Sequence, residues 1–227
     1  MKKSLFRSMI KQICIPILIF ALLFVPISGM TSITAKAYNP PSNLCTDAKG
    51  AILIDGKYGN VLFEKNSNNR LYPASTTKIL TALLIIENGD LDTVTVGDEV
   101  KKIPWDSSKA NLKVGEQIPL RDILMGLMLP SGNDAALTGA VYIGRKINNN
   151  SSVSVDDAIS SFCKLMNDRA KQLGASNSNF TNPHGYHDPN HYTTAKDLAI
   201  IAREAMKNQT FREVVATNNY KTGDISV

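Results

Sequence analysis

Cysteine is scarce in this chain, with three among 227 residues. Cys14 lies in an N-terminal leader, so only Cys45 and Cys163 remain, and two thiols do not make a disulfide framework. They can pair in an oxidising compartment or stand as separate buried thiols. Histidine is equally sparse: His184, His187 and His191 are the only three. They cluster in a Pro/Gly-rich stretch rather than at i, i+4 on a helix, and no motif supplies a partner carboxylate. That disfavours a metal hydrolase. Charge of one sign is missing too, once the leader is set aside. The formal net charge of +5 is carried by Lys2, Lys3, Arg7, Lys11 and Lys36, and the leader contains no Asp or Glu. The remainder balances, which removes the basic footprint of a nucleic-acid binder. Internal repeats and low-complexity segments are absent.

The leader itself reads as an export signal. A basic start from Met1 to Lys11 precedes the apolar run Ile13 to Val25, interrupted only by Pro16. Ala35-Lys36-Ala37 then supplies an A-x-A cleavage site. The apolar run is short for a membrane span, so residues 1–37 are expected to be removed, with the mature chain starting at Tyr38. The segment before Cys45 is polar, unlike a lipid-attachment site. Residues 38–227, roughly 190 of them, suit one globular domain with a real core.

After a polar stretch at 38–49, Ala51-Ile52-Leu53-Ile54 and Val61-Leu62-Phe63-Glu64 flank Asp55-Gly56-Lys57-Tyr58-Gly59-Asn60, the pattern of a hairpin. A polar loop from Asn66 to Arg70 leads into Tyr72-Pro73-Ala74-Ser75-Thr76-Thr77-Lys78 and the apolar run Ile79 to Ile86. Pro73 suits the first turn of a helix, and Gly89 is placed to end it as a C′ residue. Thr93 to Val96 leans toward strand, and Trp105, in the polar excursion that follows, is expected at a packed core edge. Leu120, Ile123, Leu124, Leu127 and Met128 form a helical stripe ended by Pro130. Ser131-Gly132-Asn133-Asp134 is then a tight loop before a second helix, Ala135 to Ile143.

Ser154 caps a helix with a stripe of Val155, Ile159, Phe162, Met166 and Leu173, stopped by Gly174. Asn182-Pro183-His184-Gly185-Tyr186 is a loop, and Thr194 with Asp197 opens a last helix ending near Phe211. One hairpin followed by a helical block is an α+β pattern. A two-stranded ribbon is marginal alone. The hairpin therefore either docks directly on helices or needs partner strands.

Ser75 and Lys78 stand three residues apart, one turn along a helix face. A serine hydroxyl barely ionises, so a serine nucleophile needs a base beside it. Burial penalises a lysine's charged form, which lets Lys78 serve as that base. Alone, S-x-x-K is a common accident, equally read as a capping serine and a solvated lysine. Ser131 in a helix–helix loop, with Asn133 two residues on, turns the pair into a constellation.

S-x-x-K with S-x-N and K-T-G marks class A β-lactamases and penicillin-binding proteins. The flanking residues narrow the match. Tyr72-Pro73-Ala74-Ser75-Thr76-Thr77-Lys78, Leu129-Pro130-Ser131-Gly132-Asn133-Asp134-Ala135-Ala136 and Asn182-Pro183-His184-Gly185 closely resemble the serine-type D-alanyl-D-alanine carboxypeptidases, the low-molecular-mass penicillin-binding proteins. The resemblance runs from about Ala51 to about Tyr220. It implies a β-lactamase/penicillin-binding-protein-like α+β fold acting outside the cytoplasmic membrane, at the cell wall. It further implies that Ser75 attacks the carbonyl between the two D-alanines of a peptidoglycan stem peptide while Lys78 takes its proton. Ser131 then relays a proton toward the leaving amine, and Asn133 hydrogen-bonds the substrate amide. Water releases the shortened peptide from Ser75. β-Lactams acylate the same serine, and no metal or cofactor takes part. The Ser75 backbone N–H, at a helix N-terminus, supplies half of an oxyanion hole.

A β-lactamase is the nearest rival. Class A enzymes use a glutamate to prime the deacylating water, yet no glutamate lies between Glu116 and Glu204. Gly132, where those enzymes have Asp, points the same way. Lys221-Thr222-Gly223 departs from the family pattern: it follows the last helix too soon, between Asn219-Tyr220 and Asp224-Ile225. It is read as a coincidental tripeptide. Even were it the genuine motif, the chain stops at Val227, short of the further sheet strands, closing helix and C-terminal domain with a membrane-binding tail that the resemblance implies, so an inactive truncated fragment of the carboxypeptidase is the other alternative. The second half of the oxyanion hole and the cation for the substrate carboxylate are then assigned to no residue. Asn150-Ser151-Ser152 and Asn208-Gln209-Thr210 match the glycosylation pattern and are read as ordinary polar surface.

Overall fold

The computed structural model describes residues 47–90 and 93–222, together with Pro41, Leu44, Ile225 and Ser226. The expected export signal at 1–37, the start at Tyr38, and Cys45 lie outside the described residues.

Helix α1 (Lys78–Asn88) is the axis of the fold. Its run Leu80 to Ile85 is buried throughout, and a helix apolar on all sides needs neighbours on all sides. Those neighbours are α2 (Leu120–Met128), α3 (Asn133–Ile147), α4 (Val155–Leu173), α5 (Ala195–Ala205) and α6 (Gln209–Val215). Two expected N-caps are in place. Ser154 Oγ accepts the Asp157 N–H at 3.1 Å, and Thr194 Oγ1 accepts the Asp197 N–H at 3.0 Å.

The hairpin is formed by β1 (Ala51–Ile54) and β2 (Val61–Lys65), antiparallel with Ala51 opposite Lys65. Its turn wraps around Asp55, whose carboxylate accepts the N–H groups of Lys57, Tyr58 and Asn60. Of the two alternatives for stabilising this ribbon, direct docking on a helix is observed. β1 packs on α5, and Arg203 of α5 donates to the carbonyls of Gly56 at 3.2 Å and Lys57 at 2.9 Å. Two further ribbons join β3 (Thr93–Thr95) to β4 (Gln117–Pro119) and β5 (Lys221–Thr222) to β6 (Ile225–Ser226). A helical block with small antiparallel sheets is an α+β architecture.

Several expectations need correction. The helix expected from Pro73 begins as a 3-10 turn (Ala74–Thr77), and α1 starts only at Lys78. Ala74 has φ +49°, outside the right-handed helical region, so an α-helix cannot start there. Gly89 does follow α1, but with φ −86° and ψ 155° it is extended rather than left-handed. It is glycine because a Cβ would lie 2.2 Å from Leu120 Cδ2 and 2.6 Å from the Ile85 carbonyl. Trp105 is 89% exposed rather than packed at a core edge, on a turn closed by the Ser107 N–H and the Pro104 carbonyl.

The loop before α3 is shorter than expected, since Asn133 and Asp134 already belong to its first turn. The last helix is two helices, and Asn208 restarts the second by accepting the Phe211 N–H at 3.2 Å. That capping role occupies the Asn208 side chain. Cys163 is a free, buried thiol whose pKa burial pushes up to about 12.

Candidate active site

Ser75 sits in the 3-10 turn and Lys78 heads α1. Residues three apart eclipse in a 3-10 turn, so the two side chains stack. Lys78 Nζ lies 3.1 Å from Ser75 Oγ. Ser75 is exposed while Lys78 is 2% exposed, which sets an accessible hydroxyl above a desolvated amine. Burial lowers the Lys78 pKa to about 8, against the opposing pull of the Asp134 charge. At pH 7 about a tenth of the lysine is therefore neutral.

The Asn182–Gly185 loop supplies the second hydrogen bond of this amine. Lys78 Nζ donates to the His184 carbonyl at 2.9 Å, and one turn further along α1 Thr81 Oγ1 donates to the Pro183 carbonyl at 2.6 Å. Asn182 closes the loop on itself by accepting the Gly185 N–H at 2.7 Å and donating to the Tyr186 carbonyl. Gly185 has φ +82°, and a Cβ there would stand 1.8 Å from the Ala74 carbonyl. Only glycine meets both demands.

The three histidines serve this scaffold rather than a common centre. His191 Nδ1 accepts the Thr181 N–H at 3.0 Å, so its proton sits on Nε2 and is donated to Thr77 Oγ1 at 2.8 Å. Burial holds His191 neutral, with its pKa at about 4. His184 is also lowered to about 4, by burial first and then by the Lys78 charge and His191. Its Nδ1 accepts the Tyr186 N–H. His187 packs edge-on to Tyr72, ring centroids 4.6 Å apart.

Ser131 precedes α3 in a left-handed conformation, φ +60°. Its Oγ is buried and has no hydrogen-bond partner among the described residues. A non-glycine residue held in that region costs on the order of 1–3 kcal/mol and marks functional sites. The loop is pinned on both sides. Gly132 N–H donates to the Gly126 carbonyl at 3.0 Å, and Asn133 N–H donates to the Ser108 carbonyl at 2.9 Å. The buried Asp134 carboxylate accepts the N–H groups of Ala110, Leu112 and Ala135. The Asp134 charge raises the Lys78 pKa, against the burial that lowers it.

Lys221, by contrast, is exposed and pairs with Ser226, and Gly223 lies outside the described residues. Sequence reasoning missed Asp134, His191, Thr77 and the His184 carbonyl. The one available signal was an acidic residue at a helix start, directly after Asn133.

The sequence profile of the D-alanyl-D-alanine carboxypeptidases matches residues 34–224. The chain is 38% identical over 180 residues to the D-alanyl-D-alanine carboxypeptidase DacF of Bacillus subtilis, covering 78% of this chain and 43% of that protein. It therefore spans less than half the length of that relative. Among solved structures, a variant of the Streptomyces K15 DD-transpeptidase superposes with a TM-score of 0.69 at 35% identity, covering 75% of this chain and 65% of the other. Penicillin binding protein 5 from Haemophilus influenzae superposes equally, at 0.69 and 29% identity, over 83% of this chain and 53% of its own. A profile match that runs through the Ser75 turn, the Ser131 loop and the Asn182–Gly185 loop, on a shared fold, has one meaning: the chain belongs to the D-alanyl-D-alanine carboxypeptidase family.

Proposed function

We propose that the chain is a serine D-Ala-D-Ala carboxypeptidase acting on peptidoglycan stem peptides. The observation that carries this reading is the 3.1 Å approach of Lys78 Nζ to Ser75 Oγ, with the lysine tuned to about 8. Neutral Lys78 takes the Ser75 proton as Oγ adds to the penultimate D-alanine carbonyl. The Ser75 N–H, one of the unpaired amides of a helix start, faces the developing oxyanion. Ser131 passes a proton to the departing D-alanine amine, and Asn133 holds the substrate amide. Water then attacks the ester on Ser75 and regenerates the hydroxyl. β-Lactams enter the same sequence and stop at the acyl-enzyme.

The unpaired, buried Ser131 Oγ supports this role, since an orphaned hydroxyl is free to exchange protons with a bound substrate. Export through the leader at 1–37 would bring the enzyme to its substrate at the outer face of the membrane. Among the described residues no helix is long and apolar enough to cross a membrane.

Labelling with a fluorescent penicillin tests the reading. The parent chain is expected to label on Ser75, Lys78→Ala to label at least about 100-fold more slowly, and Ser75→Ala not at all. Undiminished labelling of Ser75→Ala places the nucleophile elsewhere and ends the proposal.

A further inference from the structure

Two segments far apart in sequence each hold one residue of the candidate site. The loop at 182–185 takes the Lys78 amine on the His184 carbonyl at 2.9 Å. The turn at 104–107, closed by the Ser107 N–H on the Pro104 carbonyl, leads into Ser108, whose carbonyl accepts the Asn133 N–H at 2.9 Å. A side-chain hydrogen bond joins the two segments: Tyr186 Oη donates to Asp106 Oδ1 at 3.3 Å, across 80 residues of chain.

Tyr186 is anchored by both of its backbone groups. Its N–H donates to His184 Nδ1 at 3.1 Å, and its carbonyl accepts Asn182 Nδ2 at 2.9 Å. Its ring stands edge-on to that of His184, centroids 6.4 Å apart and planes at 80°. The phenol therefore leaves the loop in a set direction and ends on Asp106. The Asp106 charge raises the Tyr186 pKa, which keeps the donated proton in place. Covalent and hydrogen-bonded links thus run from Lys78 through His184, Tyr186, Asp106 and Ser108 to Asn133.

Both side chains of this bond are exposed. Water competes for such a bond, so its net worth to folding is small. Its consequence is positional, because a displacement of about 1 Å among reacting groups is enough to slow a reaction severely.

We propose that Tyr186 is a positioning residue. Its hydrogen bond to Asp106 straps the loop that holds Lys78 to the turn that holds Asn133, and keeps base and amide-binding residue in register while Ser75 is acylated. The inference rests on the reaction proposed above and adds to it a residue outside the S-x-x-K and S-x-N patterns.

The test is the rate of acylation by a fluorescent penicillin, followed over a range of concentrations so that limiting rate and half-saturation separate. Tyr186→Phe and Asp106→Ala are each expected to lower the limiting rate about threefold to tenfold, the range that the net worth of one hydrogen bond spans. The double variant is expected to be no slower than the slower single, since both changes remove the same bond. Asp106→Asn keeps an acceptor oxygen and is expected to stay within about twofold of the parent. Thermal midpoints are expected to agree within about 2 °C. Trp105, the only tryptophan in the chain and the neighbour of Asp106, reports on the turn directly. Its fluorescence anisotropy is expected to fall in Tyr186→Phe and to keep the parent value in Asp106→Asn. Parent-like limiting rates in Tyr186→Phe and Asp106→Ala overturn the proposal. So does a double variant whose loss is the product of the two single losses, or an Asp106→Asn chain as slow as Asp106→Ala. In each of these outcomes the parent still labels on Ser75, so the role of Tyr186 fails while the reaction stands. A parent that does not label overturns both.

Discussion

The Asp134 carboxylate accepts the Ala110 N–H at 2.8 Å, tying the first turn of α3 to a segment 24 residues earlier in the chain. The same carboxylate holds Leu112 and raises the Lys78 pKa. One side chain thus pins the start of α3, next to the Ser131 loop, and acts on Lys78, the base in the proposed reaction. Asp134→Ala is expected to destabilise the chain by roughly 2–5 kcal/mol, because buried N–H groups lose a charged acceptor. Asp134→Asn keeps one acceptor oxygen and should cost less. Removing the negative charge lowers the Lys78 pKa further, so the rising limb of acylation against pH should move to lower pH in Asp134→Asn. Urea denaturation and penicillin acylation rates measure the two effects. An unmoved limb would show that the Asp134 charge does not reach the base.

Lys78 carries its own pH signature. Acylation is expected to rise with pH through a midpoint near 8, where burial sets the amine. The stability effect follows from the same shift. Between about pH 8 and the ordinary lysine value of 10.5, the unfolded chain binds a proton that the folded chain does not, so stability rises with pH across that window. The burial penalty is fully present below it. Relative to Lys78→Met, the parent should gain roughly 3 kcal/mol between pH 7.5 and 10.5. A pH-independent difference in urea midpoint between the two proteins would mean that Lys78 titrates like a solvated amine.

What the sequence disclosed and what it concealed divide along physical lines. Periodicity and capping chemistry are local, and they located the hairpin, the stripe of α2 and the Ser154 and Thr194 caps. The Ser75–Lys78 and Ser131–Asn133 spacings were legible because they are short. The 3-10 start at Ala74 was not, since a helix-favouring alanine gives no sign of φ +49°. Its carbonyl lies close against Gly185, more than 100 residues later, a contact no local pattern announces. The family resemblance marks Asn182-Pro183-His184-Gly185 as a structural loop near the site, as observed, but its means of action was hidden, because it works through the His184 and Pro183 carbonyls rather than side chains. Gly89 looked like a C′ glycine for the right reason of position and the wrong reason of conformation. Its cause is the approach of Leu120, a tertiary fact.

Two left-handed glycines give a controlled comparison. Gly174 has φ +90° and open space around a built Cβ, whereas Gly185 has φ +82° and would place its Cβ 1.8 Å from the Ala74 carbonyl. Gly174→Ala is expected to cost only the conformational penalty, about 1 kcal/mol, and to label with penicillin normally. Gly185→Ala must also push the loop off the nucleophile turn, and should lose labelling as well as several kcal/mol of stability. Equal thermal midpoints for the two variants would mean that the loop does not press on Ala74.

His191 makes acid the weak side of this fold. Its ring is buried against Thr77 of the Ser75 turn and neutral, with Nδ1 already occupied by the Thr181 N–H. Protonation therefore breaks that bond by placing a second donor against a donor. With its pKa lowered by burial from 6.5 to about 4, the unfolded chain binds more protons than the folded chain between those values. Stability from this group is present above about pH 6.5 and is lost as pH falls toward 4. The loss is roughly 3 kcal/mol if the shift is realised in full. His191→Gln can still donate to Thr77 Oγ1 but cannot titrate. It is expected to be less stable than the parent at pH 7, and to show a shallower decline between pH 6.5 and 4. Parallel stability curves for parent and variant across that window would assign the acid sensitivity to other groups, His184 first among them.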